Sequence, residues 1–533
     1  MEGARRVLRR ITLLTAGMLA AGLAQAGAAR AETVLRVGVA VETRSLDPHL
    51  TSSGPTVQAL RHIFEPLVAH DAAQNLVPGL AESWAMDPAD ATRWRIRLRA
   101  GVAFHDGQPL GAADVVASLA RAVNMPRGMG GYASYLRQVT AAQAIDDRTL
   151  ELRTAAPHAA LAYDLSAVMI VQRRAADLAP EEFVSGGMVV GTGPYRHVAW
   201  RRGEVLELAR ANAYWGPKPQ WKRVRLLSRA KDATRVSALL AGEVDLIEQV
   251  PTASLAMLER RDDVIVVKAL TSRLIFLGLD MQRAQTPHFT DAGGQPLVPN
   301  PLRDKRVREA ISIAIDRQAL ATQMMDGSAM PAGQLMPPGH PGTSPALPPD
   351  PYDPARARAL LREAGIPEGA RLVLHGPNDR YLNDKMVLVA IAAMLRRVGL
   401  AVEPVVAPFS VHRALIDRGD ASFALTGWAT ETGDASLALR ALVGAPGRPT
   451  GWGQYNWHGY VNEDFEATLA AALREPDAGA RARGLARATE MAIVDRGLLP
   501  LYFQQAAWAS RRGIIYRARA DEYTLAPSAE RAP

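Results

Sequence analysis

The sequence predicts a mixed α/β protein, and three observations carry that prediction. Short β-branched or apolar runs alternate with segments whose apolar residues recur at the 3.6-residue period. Capping residues stand at the starts of those periodic segments, and glycines stand at their ends. With 533 residues and no cysteine, the chain has material for about three to four structural units and stabilises them without disulfides. The missing cysteine also excludes thiol catalysis, iron–sulfur clusters, cysteine zinc sites and acylation of an N-terminal cysteine.

Taken in order, Val34 to Ala40 (VLRVGVA) is dense in apolar, β-branched residues and reads as a buried strand. Trp94, Ile96 and Leu98 alternate with Arg95, Arg97 and Arg99, the pattern of a half-buried strand with one wet face. Asp114 starts a helix carrying Val115, Val116 and Leu119. Thr234 is expected to cap a helix that Gly242 ends, with the strand VDLI following. Leu274 to Leu279 (LIFLGL) is a continuous apolar strand. Asp304 to Asp326 is expected to be one helix, with Val307, Ile311, Ala314 and Ile315 on its buried stripe. Asp353 and Pro354 form an N-cap and N1 pair for a helix running to Gly365. Asn383 or Asp384 opens a third helix with Val387, Ile391, Leu395 and Val398 inward; Gly399 closes it, and LAVEPVVA returns as a strand. The proline- and glycine-rich stretch from Pro331 to Pro354 is expected to be an ordered loop over one domain.

The formal charge of +8 suggests a nucleic-acid partner until its distribution is considered. Residues 1–31 alone carry +4, from five arginines and one glutamate, and no dense basic run occurs afterwards. Of the 62 basic residues only six are lysine, a coding bias spread over the whole surface. A nucleic-acid footprint requires concentration, which is missing. The same N-terminus shows a basic start, the apolar run ITLLTAGMLAAGLA and a small-residue segment ending at Ala31. That is the layout of a cleaved secretory signal peptide over residues 1–31, and the run is too short for a membrane span. The mature chain is therefore expected in the periplasm, not inserted in a membrane and not lipid-anchored.

No catalytic constellation emerges. There is no H-E-x-x-H and no G-x-S-x-G. His105-Asp106 lies in a glycine-flanked turn, read as a turn held by the aspartate. Gly191 to Tyr195 (GTGPY) lacks the lysine of a phosphate loop and precedes a strand-like segment instead of a helix. Catalytic residues, metal ligands and cofactors are all read as none, with an extracytoplasmic hydrolase as the rival.

Binding features are stronger. Arg380 and Tyr381 stand on a loop before a capped helix, so the arginine either meets a ligand or solvates the loop. Trp428 follows a strand-like segment and precedes Glu431 and Asp434; the acids could hold a cationic group against the indole, or Asp434 could cap the next helix. Trp452, Tyr455, Trp457 and Tyr460 form an aromatic loop, lining a cleft or packing over a lobe.

SLDPH at 45–49, FEPL at 64–67, PGLAESW at 78–84 and WRIRLRAGVAFHDGQPLGAADVVASL at 94–119 open an ordered series. GTGPY, NAYW at 212–215, LLAGEVDLI at 239–247, DKRVREAISIAIDRQAL, YDPARARALLREAG and LLPLYFQ complete it. Over residues 32–525 the chain resembles the family 5 extracellular solute-binding proteins, the dipeptide/oligopeptide/nickel class of ABC importers. The resemblance implies a two-lobed periplasmic-binding-protein clamshell, α/β and type II-like in its large form, with a subdomain inserted in the first lobe. It implies lobe I at 32–64, 188–270 and 485–533, the subdomain at 65–187 and lobe II at 271–484, with crossings near Leu270 and Arg481.

It further implies that Glu431 meets a ligand amino group, that Asp434 matches the following acid, and that Arg380 clamps a ligand carboxylate beside Trp428. Arg380, Tyr381, Trp428, Glu431, Asp434, Trp452 and Tyr455 are thus the expected ligand-binding residues. The expected partners are a small peptide or peptide-like solute and the permease subunits, with the protein a monomer. Glutathione, modified peptides, opines and metal chelates remain open as ligands, and a sensory or chaperone-like role is a further rival.

Overall fold

The computed structural model describes residues 33–125, 132–185, 187–430 and 432–532. The expected signal peptide at 1–31 and Glu431 lie outside them.

Two long antiparallel strands, Val264–Leu279 and Leu499–Arg511, organise the molecule. Leu35, Val37, Leu208, Leu226, Leu246 and Trp508 share one core. A second holds Ile275, Leu277, Ile311, Leu374, Leu425 and Leu501. Both long strands pass from one core to the other. Their mutual register slips between Leu270 and Leu274. The resulting twelve-stranded mixed sheet continues on one side through Leu246–Ile247, Val34–Val39, Arg223–Ser228, Val205–Arg210 and Tyr195–Arg201. On the other side it continues through Phe423–Ala429, Arg371–Pro377 and Phe289–Thr290.

The segment leading into the second long strand is helical. Arg481 lies on helix Ala478–Val494, whose Leu485, Ala488, Ala492 and Ile493 are buried with Phe276, Leu442 and Phe465 on the second-lobe side. Leu498 and Phe503 belong to that same core, whereas Ala506 and Trp508 belong to the first. Strand Leu499–Arg511 thus contributes to both cores.

A separate antiparallel sheet orders Ala81–Met86, Arg93–Leu98, Thr149–Thr154 and Val139–Ala144. Trp94, Ile96 and Leu98 face its core and the intervening arginines face solvent. Helix Ala112–Asn124 packs on it, and the Asp114 carboxylate accepts from Gly111 N–H at 2.9 Å. Arg121 of this helix donates two bonds of 2.8 Å to the fully buried Asp47 of the SLDPH segment, tying subdomain to lobe. The GTGPY glycines serve the same junction. A Cβ on Gly191 would stand 2.0 Å from the Ile63 carbonyl oxygen, and one on Gly193 2.7 Å from it. These glycines permit a close backbone approach and build no anion site. The F-H-D-G segment is a turn with Gly107 at φ 88°, its Asp106 carboxylate accepting from Gln108 N–H.

Three elements depart from the sequence reading. The helix expected from Asp304 to Asp326 ends at Ile313, because Asp316 caps a new turn by accepting from Ala319 N–H at 2.8 Å. A π-helical turn, Leu320–Met324, follows. The helix expected to begin at Thr234 spans Asp232–Leu240, where Asp232 holds the buried Arg235 at 2.7 Å. The strand read only as LIFLGL begins ten residues earlier, at Val264. By contrast Asp353 caps Pro354–Glu363 through Arg356 N–H at 2.8 Å. Residues 332–353 form a loop without helix or strand. It buries Ala332, Leu335, Met336 and Leu347 in the second-lobe side.

Candidate functional site

A cavity of about 390 Å³ lies between the two lobes and the subdomain. Gln58, Arg61, Glu248 and Tyr523 reach it from lobe I, and His70 and Tyr135 from the subdomain. Arg273, Arg380, Tyr381, Phe409, Trp428 and Tyr455 reach it from the second lobe.

Helix Asp384–Arg396 sets the position of the Arg380 loop. The Asp384 carboxylate accepts from the backbone N–H of both Arg380 and Tyr381, at 3.0 and 3.1 Å. Asn383 takes a left-handed conformation at φ 54° to make the turn. The Arg380 guanidinium lies 5.2 Å from the centre of the Phe409 ring and faces the cleft. Enclosure by the walls, and then the charge of Arg273, push its pKa below the ordinary arginine range. The Tyr381 hydroxyl accepts from Gly427 N–H at 2.9 Å and stands 3.3 Å from the Gly427 carbonyl. A Cβ on Gly427 would fall 2.7 Å from the Tyr381 ring, so only glycine allows this approach. The G-W pair therefore seats Tyr381 on one residue and presents Trp428 on the next.

Trp428 packs at 5.2 Å and 57° against Tyr455. Its indole Nε1–H is buried with no acceptor among the described residues. Arg413 lies 5.2 Å over the Tyr455 ring, and Trp457 completes this wall. Arg380, Tyr381, Trp428 and Tyr455 are thus brought together on the cavity. Trp452 is not on it; it packs beside Gly444 against the second-lobe core. Asp434 is also absent from the wall. Fully buried, it accepts from Ser436 N–H and Oγ–H and pairs with Arg481 at 2.9 Å, so its capping role prevails.

Sequence reasoning passed over six charged wall residues, Arg61, Glu248, Arg273, Arg413, Asp521 and Glu522. Arg273 forms a bidentate pair with Glu522, with contacts down to 2.6 Å. Glu248 is satisfied by Ala40 N–H at 2.9 Å and Gln58 Nε2 at 2.7 Å. Asp521 pairs with Arg519. Arg61, at the end of helix Gly54–Leu60, has no carboxylate of the described residues within ion-pair distance. His70, between Arg61 and the Thr432 carbonyl, is held down to about 4 by burial and then by Arg61, so it is neutral. Arg273 and Glu248 have no local signature, since Glu522, Ala40 and Gln58 lie far away in the chain, whereas Asp521 pairs only two residues off. Among the described residues no group of three or more His, Asp or Glu could hold a metal ion. No helix among them is long and apolar enough to cross a membrane.

Two lobes joined by two strands, with a polar cleft between them, define a ligand-closing binding protein. The family described as bacterial extracellular solute-binding proteins, family 5 Middle, matches residues 75–449, and the chain belongs to it. It is similar to the glutathione-binding protein GsiB of Pectobacterium atrosepticum, 28% identical over 478 residues and 88% of each chain. GsiB of Escherichia coli (strain K12) is 26% identical over 517 residues and 96% of each chain. In fold it is similar to the periplasmic binding protein DppA of Helicobacter pylori in complex with peptide STSA. That structure has TM-score 0.78 and 23% identity, over 93% of this chain and 98% of that one. The clamshell is accordingly that of the large type II-like periplasmic binding proteins. The chain is thus an extracellular solute-binding protein of this family.

Proposed function

We propose that this protein captures a small, carboxylate-bearing, glutathione-like solute in the cleft and delivers it to the importer's permease. The observation that carries this reading is Arg380. Its guanidinium faces the cleft, and no carboxylate among the described residues lies within ion-pair distance of it. A planar guanidinium fork lining a cleft is suited to bidentate carboxylate binding. Trp428 and Tyr455 supply an apolar wall beside it, with the indole N–H available to a carbonyl. Glu431 follows the G-W pair and is proposed to meet the ligand's amino group. Resemblance to glutathione-binding relatives along nearly the whole chain supports a modified peptide over an ordinary linear one. Ligand binding favours the closed state by its differential contacts with the two lobes.

Native mass spectrometry of freshly isolated protein, followed by calorimetric titration with glutathione and with dialanine, tests the reading. Glutathione should bind more tightly than dialanine. Arg380→Gln should weaken glutathione binding by about 10- to 100-fold, the loss of one charge-assisted contact. A retained ligand with no carboxylate, or unchanged affinity in Arg380→Gln, would overturn it.

A further inference from the structure

We propose that Arg61 is a second anion-recognition position facing Arg380 from the other lobe, and that the solute carries two separated carboxylates. This rests on the reading of the cleft as the site of a glutathione-like solute and narrows it. Four arginines line the cavity: Arg61, Arg273, Arg380 and Arg413. Two are already neutralised, Arg273 by Glu522 and Arg413 by Asp417. The wall acids are likewise committed, Glu522 to Arg273, Asp521 to Arg519, and Glu248 to Gln58 and the Ala40 N–H. That leaves Arg61 and Arg380 as cations without a described counter-charge.

Their placement makes the pair specific. Arg61 ends helix Gly54–Leu60, whose Val57 and Leu60 belong to the first-lobe core. Arg380 follows strand Arg371–Pro377, whose Leu372 and Leu374 belong to the second-lobe core. The Arg61 side chain is half-buried and held: Nη2 donates to the Ser166 carbonyl at 3.1 Å, and the guanidinium lies 5.5 Å from the Tyr523 ring centre. Its Nε–H is buried with no acceptor among the described residues. A fixed guanidinium with an unused donor in a cleft is incomplete by itself. Closing the lobes brings two like charges that line one cavity towards each other, which opposes closure. A solute with one carboxylate relieves one charge; a solute with two, spaced along its length, relieves both and bridges the lobes. Arg61 thereby selects for doubly anionic solutes and couples that selection to closure.

Calorimetric titration of the full-length mature protein tests this, with parent, Arg61→Gln and Arg61→Lys against glutathione and each of its two monoethyl esters. The parent should favour glutathione over both esters by about 10- to 100-fold. Arg61→Gln should lose that preference for one ester only, and Arg61→Lys should recover part of it. A glutathione affinity in Arg61→Gln within threefold of the parent overturns the inference. So does an equal loss for glutathione and both esters, which marks a purely structural role. Glutamyl-alanine, whose two carboxylates lie on different residues, against glutaminyl-alanine separates the two readings. A parent that ignores glutathione yet prefers the dicarboxylate dipeptide refutes the glutathione-like reading and upholds the two-anion cleft. A parent indifferent in both series refutes the two-anion cleft. Thermal unfolding identifies any variant that fails to fold; the parent's ester series then decides alone.

Discussion

Asp164→Ala should lower the free energy of unfolding by about 3–5 kcal/mol, the range for removing one partner of a buried ion pair. Asp164 is fully buried on helix Leu161–Leu165 of the subdomain. It accepts from Arg440 Nη2 at 2.6 Å and from His158 Nε2 at 2.7 Å. Arg440 comes from the turn Leu439–Val443 of the second lobe, and its side chain is 10% exposed. Deleting the carboxylate strands that guanidinium where water does not reach, so the lost stability exceeds what the pair contributes net. Asp164→Asn keeps the volume and one acceptor and should fall between parent and alanine variant. Because the pair bridges subdomain and second lobe, the alanine variant should also favour the open state, seen as a larger radius of gyration in solution scattering.

The pH dependence of that loss has a definite sign. Burial alone would raise the Asp164 carboxyl, but Arg440 and the bond from His158 outweigh it and hold the pKa below 3.8. A depressed carboxylate stabilises the fold above its unfolded pKa, and the contribution disappears as pH falls through the folded value. Parent and Asp164→Ala should therefore differ fully at neutral pH and converge below about pH 3.8. Denaturant titrations at pH 7 and pH 3 measure both gaps. Superimposable curves at pH 7 would refute the assignment.

Local chemistry determined which parts of this architecture were legible. Asp353-Pro354 and the Trp94–Leu98 alternation act through neighbours in sequence, and the structure follows both. The helix from Asp304 looked continuous because its apolar stripe runs on through Ile315, yet Asp316 can cap as well as continue, and the cap prevails. The long strand was read only from Leu274 because Lys268 and Arg273 interrupt its apolar run. Those charges are accommodated by Glu259, just ahead of the strand, and by Glu522, far away in the chain. In the site, a motif of adjacent residues exposed Arg380, Tyr381 and Trp428. Arg61 is assigned its surroundings by Ser166 and Tyr523, 105 and 462 positions away in the chain. Asp434 and Glu431 look alike in sequence. The cap through Ser436 and the distant Arg481 together mark Asp434 as a buried structural acid.

Gly427→Ala should weaken ligand binding at least tenfold while lowering stability by about 1–3 kcal/mol, the usual effect of overpacking. The added methyl would meet Tyr381 Cε1 at 2.7 Å and Ile275 Cδ1 at 2.8 Å. The isoleucine terminus can rotate away, but Tyr381 is fastened. Its hydroxyl is bonded to the Gly427 backbone, and its own N–H is bonded to Asp384. Moving the ring therefore moves the Arg380 loop, which shares the Asp384 anchor. The same substitution presses on the strand that presents Trp428, so guanidinium and indole lose their mutual setting together. Tyr381→Phe separates the two effects. It deletes the hydroxyl and leaves the Gly427 N–H without that acceptor, at about 1–3 kcal/mol, while the ring still supports the loop. Its affinity loss should be smaller than that of Gly427→Ala although the two stability losses are similar. Parent-like affinity in Gly427→Ala would mean that Tyr381 does not position the site, and the cleft would then owe its geometry to the helix cap alone.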